Sequence, residues 1–273
     1  MESAPPLISE FKPISRWRWW VHLILITSYL VVLAGVGLAR HTSNRPALSH
    51  TASGLLIMCL VELLSFGLVF GLAWLSSRAS VDDLLLRWRG KVMPILLGSA
   101  YSIALRIALA IITGLVAVIL VATHLMTTES MSDFFVKNRP GIEKMVDVAA
   151  LRDNRAYFWL TITVVSFVVA GLREELWRSS FLAGMRMLWP RQFGSTVGQI
   201  CAVVIAAIIF GAAHLSMGIL AAMLAGLLGL FLGLIMVFHR SIWPAVLAHG
   251  FFDATSMALI PWALELMQKL PKH

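Results

Sequence analysis

Charge is scarce in this chain: Asp, Glu, Lys and Arg make up only 13% of its 273 residues, against 59% hydrophobic ones. That balance excludes an ordinary soluble domain and implies a polytopic membrane protein. Cysteine is nearly absent. Cys59 and Cys201 both sit inside apolar runs, so a disulfide framework is excluded and buried, inert thiols are expected. There is no long Lys/Arg run with interleaved aromatics, so the net charge of +8 calls for no nucleic-acid partner; the basic residues gather in short loops, as the positive-inside rule expects. No internal repeat and no low-complexity tract occurs. Two familiar hydrolase signatures are also missing: no histidine is followed by glutamate, which excludes H-E-x-x-H, and there is no G-x-S-x-G elbow.

What the chain does have is seven apolar segments, at about 19–39, 54–75, 93–126, 156–180, 197–215, 218–238 and 242–263. The third is long enough for one tilted helix or for a helix with a re-entrant piece. The expectation is an all-α fold, a polytopic transmembrane helix bundle of seven or eight spans. The polar first eighteen residues precede a stretch too long for a signal-peptide core and without a cleavage site, which reads as a retained first helix. Trp17, Trp19 and Trp20 beside Arg16 and Arg18 make an interfacial anchor, and a weak Lys/Arg bias points the same way, to a cytoplasmic N-terminus. Two short interfacial helices are expected, one in "SVDDLLLRWRGK" at 80–91. The other lies in "GIEKMVDVAALRDN", where Ile142, Met145, Val146 and Ala149 follow the i, i+3, i+4, i+7 pattern.

Ionisable residues inside the membrane are expensive and mark function. In "VVAGLREELWRSSFLAGM" four of them, Arg173, Glu174, Glu175 and Arg178, fall within six positions. At about 2.5 to 3.5 kcal/mol each, unpaired, they approach ~10 kcal/mol, so they must pair, reach water or meet partners on other helices. Glu174 and Arg178 have an i, i+4 relation, which lets the arginine offset one carboxylate and leave the other available. Glu62 and Arg106 are expected to neutralise each other across a helix pair or to bond backbone and water. His22, His124 and His239 near segment ends are expected to snorkel to the interface. His214 and His249 differ, because His249 shares a helical face with Asp253 four residues on, where carboxylate and imidazole can bond directly or through water.

Two acids and an arginine, then a histidine, then a histidine with an aspartate, on successive apolar segments, resemble the CPBP family of intramembrane proteases (CAAX protease and bacteriocin-processing, or Abi). The motifs are "EELWR" from Glu174 to Arg178, "FGAAH" from Phe210 to His214 and "HGFFD" from His249 to Asp253. The family's usual spacing is E-E-x-x-x-R, and here one residue fewer precedes Arg178. Aligned on the acids the pair is Glu174 and Glu175; aligned on the arginine it is Arg173 and Glu174, so Glu174 belongs to it either way.

The resemblance implies residues 1–155 as an N-terminal transmembrane region and 156–273 as a catalytic core around a polar cavity inside the membrane. It implies an intramembrane endopeptidase that cuts membrane-associated peptides or proteins with water activated by Glu174 and His214. His249 and Asp253 orient that water or stabilise the oxyanion, with Glu175, Arg178 and Phe210 in support. No cofactor is favoured; Zn²⁺ held by His214, His249 and Glu174 is the alternative. A catalytically silent scaffold or immunity factor and an ion-coupled transporter are the competing functions. The expected setting is the lipid bilayer of a bacterial cytoplasmic membrane. Depth poses one difficulty: strict alternation separates Glu174 from His214 unless segment four continues to about Met187 and segment five to Gly218.

Overall fold

A computed structural model describes residues 15–40, 48–138 and 146–269. These residues form helices and connecting turns, with no strand among them. The long helices are α1 (Arg16–Arg40), α2 (Ala52–Ser77) and α3 (Met93–Ala122). Two short ones, α4 (Thr128–Lys137) and α5 (Val148–Asp153), lead into a continuous rod of α6 (Arg155–Leu160), a π-helical stretch (Thr161–Arg173) and α7 (Glu174–Leu188). After a single turn, α8 (Pro190–Phe193), come α9 (Thr196–Ala213), α10 (Ile219–His239) and α11 (Trp243–Lys269).

Six of these rods are long and apolar enough to cross a membrane: α1, α2, α3, the rod Arg155–Leu188, α9 and α10. α11 is of similar length, but His249, Asp253, Thr255 and Ser256 dilute its apolar character. Segment three is one uninterrupted helix of 30 residues, without a re-entrant piece. Only 11% of the most apolar stretch of α3 is buried inside the protein, against 44% for α10, so α10 is central and α3 turns most of its surface outward. Leu64, Leu68, Ile103 and Ile111 are among the exposed apolar residues that remain for lipid.

Local chemistry sets the helix ends. Thr51 and Ser195 accept hydrogen bonds from the N–H groups of Gly54 and Gly198 at the starts of α2 and α9. Residues 80–91 depart from expectation, being turns rather than an interfacial helix. The reason is a backbone account. Ser179, Ile242, Trp243 and Ser241 donate to the carbonyls of Leu84, Leu85, Leu86 and Arg87 in turn. Those carbonyls lock the loop onto α7 and the α10–α11 corner, with Leu84 and Leu85 buried. Of the second expected interfacial helix, residues 141–145 lie outside the described residues; the described part is α5, capped by Asp147.

The rod through segment four is the second departure. It continues to Leu188 as the depth argument requires, but Thr161–Arg173 is wound as a π-helix. The β-branched run "TITVV" opens it, side chains that crowd an α-turn, and the Ser166 hydroxyl donates to the Thr161 carbonyl five residues back, at 2.9 Å. The π winding stops at Arg173, so Glu174 and Glu175 open an α-helical segment.

α11 lies against this π stretch and against α3. Gly171 and Gly250 make the crossing possible: a Cβ on Gly171 would stand 2.9 Å from the Val246 carbonyl oxygen, and one on Gly250 2.3 Å from Phe167. Small residues at a helix crossing allow such close approach inside a membrane.

Candidate active site

Each acid of the pair has its own arginine, and neither pairing is the one the i, i+4 pattern suggests. Arg178 contacts Glu175, three residues back, and both are completely buried. Arg173 donates to Glu174 Oε1 at 2.8 Å. The helix explains the exchange, since a guanidinium reaches neighbours at i−3 as readily as at i−4. Arg178 is also held over the Phe210 ring, 4.8 Å from its centroid, a cation–π contact. Its nitrogens make no aligned hydrogen bond, so charge and the aromatic face hold this guanidinium. Gly229 and Gly233 of α10 leave it room.

Glu62 does not pair with Arg106. It bonds Arg173 instead, so Arg173 bridges a carboxylate of α2 and Glu174. Arg106 donates to Ser102 on its own helix and to the Phe252 carbonyl of α11 at 2.5 Å, satisfying itself on hydroxyls and backbone. His22 is not interfacial either: it is fully buried, bonded to the carbonyls of Ala73 and Ser180.

The histidine of α11 joins both acids. His249 is 3% exposed, with Nδ1 3.1 Å from Glu175 Oε1 and Nε2 3.9 Å from Glu174 Oε2. Asp253 Oδ2 stands 3.6 Å from the same Nε2, the i, i+4 pairing expected from sequence. Glu175, with a side chain at 0% exposure, is walled in, whereas that of Glu174 keeps 17%. Glu174 is thus the acid that water can reach.

What it reaches is a cavity of about 130 Å³, lined by Arg173, Glu174, Trp177, Phe210 and His214 together with Tyr29 and its neighbours on α1. That is room for several waters. The rings of Phe210 and His214 are in contact, tilted by 52° with centroids 4.6 Å apart, and His214 Nδ1 bonds the Phe210 carbonyl at 2.8 Å. Segment five ends sooner than expected, at Ala213, with His214 as its cap. The depths still agree. From Leu188 back to Glu174 the axis rises about 21 Å, and from Thr196 to Ala213 about 26 Å, so the two helices bring Glu174 and His214 to similar heights.

The cavity therefore assembles Glu174, His214 and Phe210 on its wall, with His249, Asp253, Glu175 and Arg178 in the polar cluster behind. Among the described residues no group of three His, Cys, Asp or Glu side chains is arranged to hold a metal ion. The guanidinium on Glu174 is likewise unsuited to a divalent cation, so the donor set His214, His249 and Glu174 does not fit zinc. Sequence reasoning missed three residues of this neighbourhood: Tyr29, Glu62 and the bridging role of Arg173. Glu62 carried a signal, as an acid within an apolar run; Tyr29 carried none.

Residues 155–255 match the family model described as type II CAAX prenyl endopeptidase Rce1-like, a stretch that contains all three motifs. No curated protein and no solved structure matches the chain.

Proposed function

From a chain whose residues 155–255 form an Rce1-like domain of the CPBP family, a family of membrane proteases, we propose an intramembrane endopeptidase that hydrolyses peptide bonds of membrane-associated substrates. The observation that carries the reading is a carboxylate, Glu174, on the wall of a cavity that His214 also lines and that has room for several waters, with one oxygen fixed by Arg173 and the other turned toward His249.

The chemistry follows from what hydrolysis needs. A water in the cavity gives a proton to Glu174, assisted by His214, while its oxygen attacks the scissile carbonyl carbon. The carbonyl π electrons move onto oxygen, forming the tetrahedral intermediate. Collapse breaks the C–N bond, and the proton held by Glu174 passes to the departing amine nitrogen. His249, set between two carboxylates and Asp253, orients the water or donates to the developing negative charge. Every step uses side chains of this chain, and none requires a metal. α11 serves as a seventh span in this reading, with the N-terminus cytoplasmic.

The test compares purified wild type with Glu174→Gln on quenched membrane-inserted peptides, and peptide termini in cells carrying each form. Loss of a general base lowers turnover by about 10²- to 10⁴-fold, with folding unchanged. Normal cleavage by Glu174→Gln removes the base, and absence of cleavage by wild type across the panel removes the peptidase reading.

A further inference from the structure

α1 lies outside residues 155–255, yet it supplies a wall of the cavity through Tyr29, Leu30, Leu33 and Ala34. Of these four only Tyr29 carries a polar side chain. Its hydroxyl is buried and, among the described residues, donates no hydrogen bond; Arg173 is the charged group beside it, and a guanidinium can only donate to the hydroxyl oxygen, so the O–H proton stays free. The ring is fixed edge-on against Phe66 of α2, with centroids 5.1 Å apart.

The other donors on the cavity wall are committed. Arg173 serves the Val169 carbonyl, Glu62 and Glu174. Trp177 Nε1 donates to the Ile26 carbonyl at 3.1 Å. His214 spends Nδ1 on the Phe210 carbonyl and is needed for the water. The carboxylates of Glu174 and Asp253 only accept when ionised, and they repel a growing negative charge. Peptide hydrolysis places such a charge on the carbonyl oxygen, and it is best met by a donor already fixed in a water-poor site, with nothing to release first.

We propose that the Tyr29 hydroxyl is a catalytic hydrogen-bond donor, contributed by α1, to the oxyanion formed in the cavity between Glu174 and His214. The inference rests on the peptidase reading. The donation makes and breaks no covalent bond: the phenol keeps its proton and shares it with the oxyanion until the C–N bond breaks. No protein group has to release the hydroxyl before it can meet the oxyanion, and its hydrogen bond gives rate to the extent that it is stronger to the oxyanion than to the neutral carbonyl or a water.

The experiment uses full-length enzyme in membranes. Tyr29→Phe keeps the ring against Phe66 and removes only the hydroxyl. The expected result is a fall in kcat of about 10²-fold, near the lower end for loss of one oxyanion donor, with KM and thermal stability as in wild type. A peptidyl phosphinate, which mimics the tetrahedral intermediate, is expected to bind Tyr29→Phe more weakly, and the uncleaved parent peptide to bind it equally to Glu174→Gln. Tyr29→Phe with wild-type kcat overturns the proposal while the peptidase reading stands. So does a variant whose loss lies in KM or stability, which makes Tyr29 structural. Wild type that cleaves nothing, with Glu174→Gln indistinguishable from it, overturns the peptidase reading itself and this role with it.

Discussion

At the scale of single residues, the acidic pair divides into two jobs because its arginines divide it. Glu175 and Arg178 are both fully buried and contact each other, so removing one strands the other in a medium that cannot solvate it. Arg178→Ala is expected to destabilise by about 3 to 5 kcal/mol, seen as a lower unfolding temperature in detergent and poor recovery of protein. Glu174→Gln, at the cavity wall, is expected to unfold like wild type and to lose turnover. Equal stability of wild type and Arg178→Ala contradicts this division. Glu62 acts one step further out, holding Arg173, which in turn holds Glu174. Glu62→Gln frees Arg173 to shift, and a displacement on the order of 1 Å near the chemistry costs up to about 10²-fold in rate. The expected readout is a lower kcat with KM unchanged. Rescue by Glu62→Asp distinguishes a charge held in place from simple packing.

Helices position these groups through contacts that leave little trace in sequence. The order and spacing of "EELWR", "FGAAH" and "HGFFD" pick out the candidate residues, because ionisable side chains stand out inside apolar runs. They do not show which acid meets which arginine: Glu174 with Arg178 and Glu175 with Arg178 differ by one helical position, and the choice depends on where α10 leaves space at Gly229 and Gly233. The turn structure of 80–91 was hidden because it depends on partners distant in the chain, and the π winding before Glu174 because a β-branched run reads equally as an ordinary helix inside an apolar segment. The crossing of α11 over the π stretch offers the direct test at this scale. Adding a methyl group at Gly171 puts it 2.9 Å from the Val246 carbonyl, backbone that cannot yield as a side chain does. Gly171→Ala is expected to destabilise by about 1 to 3 kcal/mol, as overpacking does, and to pull His249 off Glu175, lowering turnover. Wild-type stability and rate in Gly171→Ala contradict a close-packed crossing at this position.

α5 gives the element scale a pH dependence outside the membrane. Asp147 caps it by accepting from the Ala150 N–H at 2.9 Å and pairs with His50 ahead of α2. The Ala150 hydrogen bond first, and His50 second, hold the Asp147 carboxyl below its usual range. A depressed carboxyl stabilises the folded state fully above its unfolded pKa, and that contribution is lost as pH falls through the lowered folded value. Limited proteolysis of the segment before α6 is therefore expected to be flat across neutral pH and to rise only in strong acid. Asp147→Ala should raise it across neutral pH, by about 1 kcal/mol of local stability, and converge with wild type in strong acid. A rise centred near neutrality contradicts the assignment to the Asp147 cap.

At the scale of the whole molecule, the site draws on helices from both ends of the chain, and this decides what a truncated protein can do. The resemblance read from sequence covers the motifs of α7, α9 and α11, and nothing in the hydropathy of the first three segments hinted at a share in the site. Yet α1 packs along α7, closes the cavity with Tyr29, Leu30, Leu33 and Ala34, and accepts the Trp177 indole on the Ile26 carbonyl. α2 supplies Glu62 to Arg173. Without α1 and α2 the cavity wall is lipid, Trp177 has an unpaired donor, and Arg173 keeps one carboxylate in place of two. Hydrocarbon offers no water to replace these partners, and each unsatisfied group there costs several kcal/mol. Residues 156–273 expressed alone are therefore expected to insert but not to hold turnover, and co-expression with residues 1–155 to restore it, because helices placed separately in a bilayer can still find each other by packing and polar contacts. Cleavage of the membrane peptide panel by each fragment and by the pair measures this. Full activity of 156–273 alone shows that the first helices only surround the site, and it removes Tyr29 and Glu62 from the chemistry together.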